Sequence, residues 1–394
     1  MPSGEIRLLL CGDVMLGRGI DQVLPHPGDP ALPESHPKGR DARTYVALAE
    51  LRNGALPGTR GPAYVWGDAL AEFDACRADL RLINLETAVT AGGAPWPKKP
   101  VHYRMHPANL GVLSAAGIDC CTLANNHTLD FGPVGLGDTV AALTQAGIRH
   151  AGAGRNRREA AAPAALGLPG EGAAGGRVLV ISLAMPSSGC PLAWGAQEDR
   201  PGINLVGLND PWPDILRRDI AAQRRPGDIV VASIHWGDNF GHAVTPDQRA
   251  FAHRLIDDAG VDLVHGHSSH HVRAIEVHSG RAILYGCGDL INDYEGILVR
   301  PQRLAFAPEL GLIYLARLSR EDGRLLGLEM RPTRMQQLQV RRAGREAGER
   351  LAAILTREGA RFGTAVEPDD DGVLHLRWQA ATVRRPTAPA RPAE

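Results

Sequence analysis

The chain has 394 residues, 44% apolar and 22% charged, with a formal net charge of −1. That length supports one large domain or two ordinary ones. The near-zero charge excludes a globally nucleic-acid-binding or membrane-adsorbing surface. No apolar run approaches the roughly 18 residues of a transmembrane helix. The opening MPSGEIRLLLCGD has no signal-peptide pattern, so a cytoplasmic protein without a membrane span is expected. The six cysteines lack CxxC spacing, which implies neither a disulfide framework nor a thiolate zinc site.

Short apolar runs ending in polar or glycine-containing clusters predict buried strands. In chain order they are residues 5–11, ending at Gly12-Asp13; 80–85, ending at Glu86; 118–124, ending at Asn125-Asn126-His127; 178–184; 229–234, ending at His235; and 261–264, ending at the histidine-rich VHGHSSHHV. Helices are predicted between them over 133–146, before Gly147, and over 245–259, where Thr245-Pro246 is an N-cap followed by a first-turn proline. Two hairpins are expected, at 272–285 and at 312–330. The fold class is therefore α/β with mixed sheets, and chemistry is expected at the carboxyl ends of the strands.

Residues 25–64 read as a Pro/Gly-rich loop or lid inserted into a main domain over 1–335. Residues 336–380 read as a C-terminal extension, with an amphipathic helix over 341–357, and 381–394 as a disordered tail.

The strand ends collect Asp13, Glu86, Asn126, His127, His235, His267, His270 and Asp289. Oxygen ligands mixed with imidazoles and no thiolate suit one or two divalent metals, Mn²⁺, Fe or Zn²⁺. Such ions activate water and neutralise an anionic transition state. His127 is positioned to protonate a leaving group, and Arg18 to clamp a carboxylate or phosphate. Each feature has a plainer reading alone: Asp13 as a cap, Asn125-Asn126 as turn formers, His235 as a core histidine. His265 and His271 read as structural neighbours of the ligands. Asp289, Asn292 and Asp293 read as turn or supporting groups rather than ligands. Lys98, Lys99, Tyr103 and Arg104 line the cleft or form a solvated loop.

GDVMLGR (12–18), NLETAVT (84–90), ANNHTLDFG (124–132), His235-Trp236-Gly237 and the HGHSSHHV…YGCGDLINDYEG block (265–296) together resemble the bacterial CapA family. Those are capsule or poly-γ-glutamate biosynthesis proteins, a branch of the calcineurin-like metallophosphoesterase superfamily. The resemblance covers about residues 5–320. It implies a four-layer α/β/β/α sandwich of two mixed sheets with a metal site at one edge. It also implies Asp13, Glu86, Asn126, His235, His267 and His270 as metal ligands, and His127 as the acid. The implied reaction is hydrolysis or transfer at a phosphoester or glutamyl-type amide of an anionic substrate or polymer, beside a ligase or synthetase partner. The alternative is a non-catalytic, metal-stabilised partner subunit. Met15 stands where the superfamily has a histidine, and Ser268-Ser269 where relatives commonly have His-Pro, so one metal position is ligand-poor.

Overall fold

A computed structural model describes residues 4–33, 40–58, 60–168, 176–208, 212–297 and 301–379. The expected disordered tail at 381–394 lies outside the described residues.

The first part of the chain builds four parallel strands: β1 (Glu5–Val14), β2 (Leu80–Leu85), β3 (Cys120–Thr122) and β4 (Arg149–Ala151). The chain then forms a second, six-stranded sheet. It comprises β5 (Ala164–Gly167), β6 (Arg177–Ala184), β7 (Ile229–His235), β8 (Leu263–His267) and the hairpin β9 (Ile275–His278)–β10 (Arg281–Leu284), in the order β9-β10-β8-β7-β6-β5. Its central strands are parallel and its edges antiparallel.

The chain finally returns to the first sheet. β11 (Asp289–Ile291) lies parallel to β1, and β12 (Leu310–Ser319) lies antiparallel on β1. β13 (Leu325–Gln336), β14 (Gln339–Arg342), β15 (Thr364–Pro368) and β16 (Leu374–Trp378) extend it to ten strands. Both sheets are mixed, as the strand and hairpin pattern predicts.

Strand alternation distributes the core. Leu8 and Leu10 of β1 join Val178, Val180, Val231 and Leu263 of the other sheet in one buried cluster, so this face of each sheet packs against the other. Leu9 and Cys11 point the opposite way, into a cluster with Phe73 of α2 (Ala69–Cys76) and Leu136 of α3 (Gly132–Gln145). The far face of the six-stranded sheet buries Val230 and Ala232 against Leu216 of α4 (Trp212–Gln223) and Phe251 of α5 (Pro246–Asp257). Thr245 caps α5, its hydroxyl accepting the Gln248 N–H at 3.1 Å. All six cysteines are buried and free.

Two local expectations need correction. Residues 25–64 are not loop throughout, because α1 spans Arg43–Asn53. Only Ala49 of that helix is fully buried, so it lacks the apolar stripe that betrays a helix in sequence. The helix expected over 341–357 begins at Arg345, as α6 (Arg345–Gly359). Residues 339–342 pair instead with β13, and that strand partner is invisible to a local pattern.

Candidate metal centre

Asp13 is the pivot of the site. β1 and β11 are in register at Asp13 and Asp289, which sets two carboxylates side by side at 0% and 5% exposure. Gly12 makes this approach possible: a Cβ there would lie 1.9 Å from the Gly288 carbonyl. On the other side β2 brings Asn84, whose Nδ2 donates to Asp13 Oδ1 at 2.7 Å. Glu86 follows β2 directly and is also fully buried.

From the second sheet come the histidines. β7 ends at His235 and β8 at His267, and the two residues are register partners. An oxygen of Asp13 and ring nitrogens of His235 and His267 all lie within 4.8 Å of one another. Asp13, His270 and Asp289 form a second such group, so both share Asp13. His235 Nε2 also lies 4.0 Å from Glu86 Oε1. His270 Nδ1 donates to Asp289 Oδ1 at 2.9 Å, and its Nε2 accepts from Asn239 at 3.0 Å.

The turn after β8 is strained. Ser268 has φ of 99°, a conformation that favours glycine. That turn aims the Ser268 N–H at Asp13 Oδ2, 3.2 Å away. Of the flanking histidines, His271 has both ring nitrogens partnered, whereas His265 Nε2 has no hydrogen-bond partner among the described residues. His271 Nδ1 donates to the Val272 carbonyl and its Nε2 accepts the Gly241 N–H. His265 meets the Ser233 hydroxyl, which also bonds His267 Nε2 at 2.8 Å.

Asn125 and Asn126 divide two jobs. Asn125 ties the loop together: its Nδ2 donates to Asn84 and to the Leu85 carbonyl, and its Oδ1 accepts the His127 N–H. Asn126 Oδ1 is buried with no hydrogen-bond partner among the described residues, and so are Glu86 Oε2 and His235 Nε2. Orphaned buried acceptors are rare and mark a missing partner. Burial and the facing Asp289 push the Asp13 carboxyl up to about 7. Burial, then Asp13 and Asp289, push Glu86 well above the carboxylate range. Burial pushes His235 and His267 well down. Acids resisting ionisation beside neutral imidazoles are the state a bound divalent cation reverses. The residues therefore fit a metal.

His127 faces this cluster. Its Nε2 lies 3.6 Å from Glu86 Oε1 and its Nδ1 2.6 Å from Asp130 Oδ2. Lys99 Nζ also lies 3.1 Å from that Nδ1, but it has better acceptors in Asp130 Oδ1 and the Val101 carbonyl, both at 2.8 Å. The Nδ1–H therefore belongs to Asp130. Asp130 stays ionised, because His127 and Lys99 outweigh its burial. Burial pushes His127 down to about 4, leaving Nε2 a free lone pair aimed at the site. An acid role thus requires His127 first to take up a proton.

Arg18 does not offer a clamp to solvent. It is 5% exposed and forms a bidentate pair with Asp293, Nε at 3.1 Å and Nη2 closer still. The rings of Tyr45 and Tyr103 cover it at 4.0 and 4.6 Å. The anion it clamps is internal. Met15 is buried with its sulfur against the Tyr294 hydroxyl at 3.6 Å.

The sequence reading passed over Asp289 as a ligand and missed Asn84, Asp130 and Asn239 altogether. Asp130 and Asn84 each lay in a motif already singled out, Asp130 three residues beyond His127 and Asn84 at the start of NLETAVT. The others depend on strand register.

Comparison with known proteins identifies the family. Residues 7–294 match the family model "Bacterial capsule synthesis protein PGA_cap". The chain is 47% identical over 375 residues to the "Probable polyglutamine synthesis accessory protein" of Mycobacterium tuberculosis, covering 94% of this chain and 96% of that one. It is 28% identical over 199 residues to the "Capsule biosynthesis protein CapA" of Bacillus anthracis, covering 50% of this chain and 45% of that one. A solved structure described as a novel phosphatase from Mycoplasma pneumoniae matches 83% of this chain and 93% of its own at 13% identity, with a TM-score of 0.44. The chain belongs to the bacterial capsule synthesis protein family that includes the CapA proteins.

Proposed function

We propose that this protein is a divalent-metal-dependent hydrolase or transferase. It acts at a phosphoester or glutamyl-type amide of an anionic substrate, in making a glutamate or capsule-type polymer. The observation that carries this reading is the set of orphaned buried acceptors, Glu86 Oε2, Asn126 Oδ1 and His235 Nε2, beside two ligand groups that share Asp13. The paired sheets with helices on their far faces are read as the calcineurin-like four-layer α/β/β/α sandwich.

Asp13, Glu86, Asn126, His235, His267 and His270 would hold the metal, with Asp289 added to that set. One or two ions of Mn²⁺, Fe or Zn²⁺ would supply positive charge that polarises the scissile group and acidifies water. His127 accepts a proton at Nε2 and returns it to the leaving group, while Asp130 fixes the tautomer through Nδ1. Arg18 positions the site through Asp293 rather than touching substrate.

Purified protein should carry about one or two metals per chain by elemental analysis. It should cleave bis-p-nitrophenyl phosphate or a γ-glutamyl amide, and His127→Gln should keep the metal but lose about 10²-fold or more in rate. Absence of stoichiometric metal, together with a His127→Gln variant that matches the wild type, would overturn the enzyme reading.

A second reading is a metal-stabilised accessory subunit beside a cytoplasmic synthetase. Two facts favour it: the word "accessory" in the name of the mycobacterial relative, and Met15 in place of a ligand. In that case His127→Gln would restore polymer synthesis to cells lacking the gene, whereas Asp13→Asn, stripped of metal, would not. No helix among the described residues is long and apolar enough to cross a membrane.

A further inference from the structure

Two arginines are buried among the described residues, Arg18 and Arg273. Arg18 faces a carboxylate, that of Asp293. Arg273 differs. It is 4% exposed, and its Nη2 donates to the Ala243 carbonyl. Its Nε and Nη1 are buried with no hydrogen-bond partner among the described residues. Gln248, 5% exposed on α5, likewise leaves its Nε2 buried and unpartnered.

These donors converge. A side chain on Gly237 would begin 3.1 Å from Arg273 Nη1 and 3.7 Å from Gln248 Nε2. Gly237, at φ of 78°, leaves that position open. A cationic fork and an amide N–H₂ thus border one spot, and, the chain neighbours Trp236 and Asp238 apart, no acceptor of the described residues lies within 4 Å of it. Buried donors of this kind demand an acceptor, and a guanidinium fork matches the two oxygens of a carboxylate or phosphate. Burial and the nearby Arg361 push Arg273 down to about 10, and Asp238 only partly offsets them.

We propose that Arg273 and Gln248 bind one small oxyanion, a carboxylate or phosphate, over Gly237. The position is separate from the metal centre but joined to it. The Gly237 carbonyl accepts the Ser268 hydroxyl at 3.1 Å, and the Ser268 N–H donates to Asp13. The inference does not rest on the proposed reaction.

The test is thermal unfolding of the purified full chain. Inorganic phosphate or glutarate is titrated against chloride at equal ionic strength, in the wild type, Gln248→Glu and Asp238→Asn. Gln248→Glu places an internal carboxylate against the guanidinium at nearly constant volume. The wild-type midpoint is expected to rise by about 2 °C or more. Gln248→Glu should start higher and not respond. A response to glutarate alone identifies a carboxylate ligand, and one to phosphate alone a phosphate ligand. An unresponsive wild type overturns the proposal, and so does an equal response in Gln248→Glu. So does an Asp238→Asn variant that destabilises the ion-free protein and responds more strongly than the wild type, since Asp238 is then the counter-ion.

Discussion

At the scale of single residues, the centre depends on backbone positions that tolerate little change. Gly12→Ala would drive a methyl into the Gly288 carbonyl and separate β1 from β11. It should cost about 3 kcal/mol or more in urea unfolding and lower metal content. Ser268 sits at φ of 99°, so Ser268→Val should destabilise by about 2 kcal/mol while Ser268→Gly is tolerated. Asn125 touches no orphaned atom but holds Asn84, Leu85 and His127 in place. Asn125→Ala should therefore weaken metal affinity about 10–100-fold by titration, leaving the ligand set intact. It was the resemblance to the CapA family that set His267 and His270 apart from His265 and His271 as the expected ligands. Their partners were not legible locally, since Asp13 and Asp289 arrive from strands distant in the chain.

At the scale of elements, strand ends and register decide the site. The apolar runs foretold β1, β2, β3, β7 and β8 because strands buried on both faces read as continuous hydrophobic stretches. The pairing of β11 with β1 is a long-range choice that brings Asp289 to Asp13. α1 escaped detection for the opposite reason, since it buries so little of its own surface. It nonetheless supplies Tyr45 to the ring cage over Arg18. Tyr45→Ala should remove about 1–2 kcal/mol of desolvated cation–π contact. Proteolysis within 25–64 should accelerate while the global midpoint moves less.

At the scale of the whole molecule, buried neutral histidines make stability depend on pH. His271 is pushed down to about 3, chiefly by burial, although the Val272 carbonyl opposes this. Its folded pKa lies below the unfolded value of about 6.5, so the unfolded chain binds the extra proton between those limits. The contribution is whole above about pH 6.5 and is lost as pH falls towards 3. Its slope is about 1.4 kcal/mol per pH unit at most. Denaturant unfolding from pH 7 to 4 should show this loss, and His271→Gln should flatten it.

Sequence by itself determined the α/β alternation, the mixed character of the sheets and the polar groups at the strand ends. These are local consequences of side-chain periodicity and chain punctuation. Only the tertiary structure decided that Asp289 stands beside Asp13, that Arg18 turns inward to Asp293, and that Asp130 holds His127. The first two depend on register or on burial between segments far apart in the chain, and the third on the turn that carries both residues. No local pattern encodes the partner that a buried charge will find.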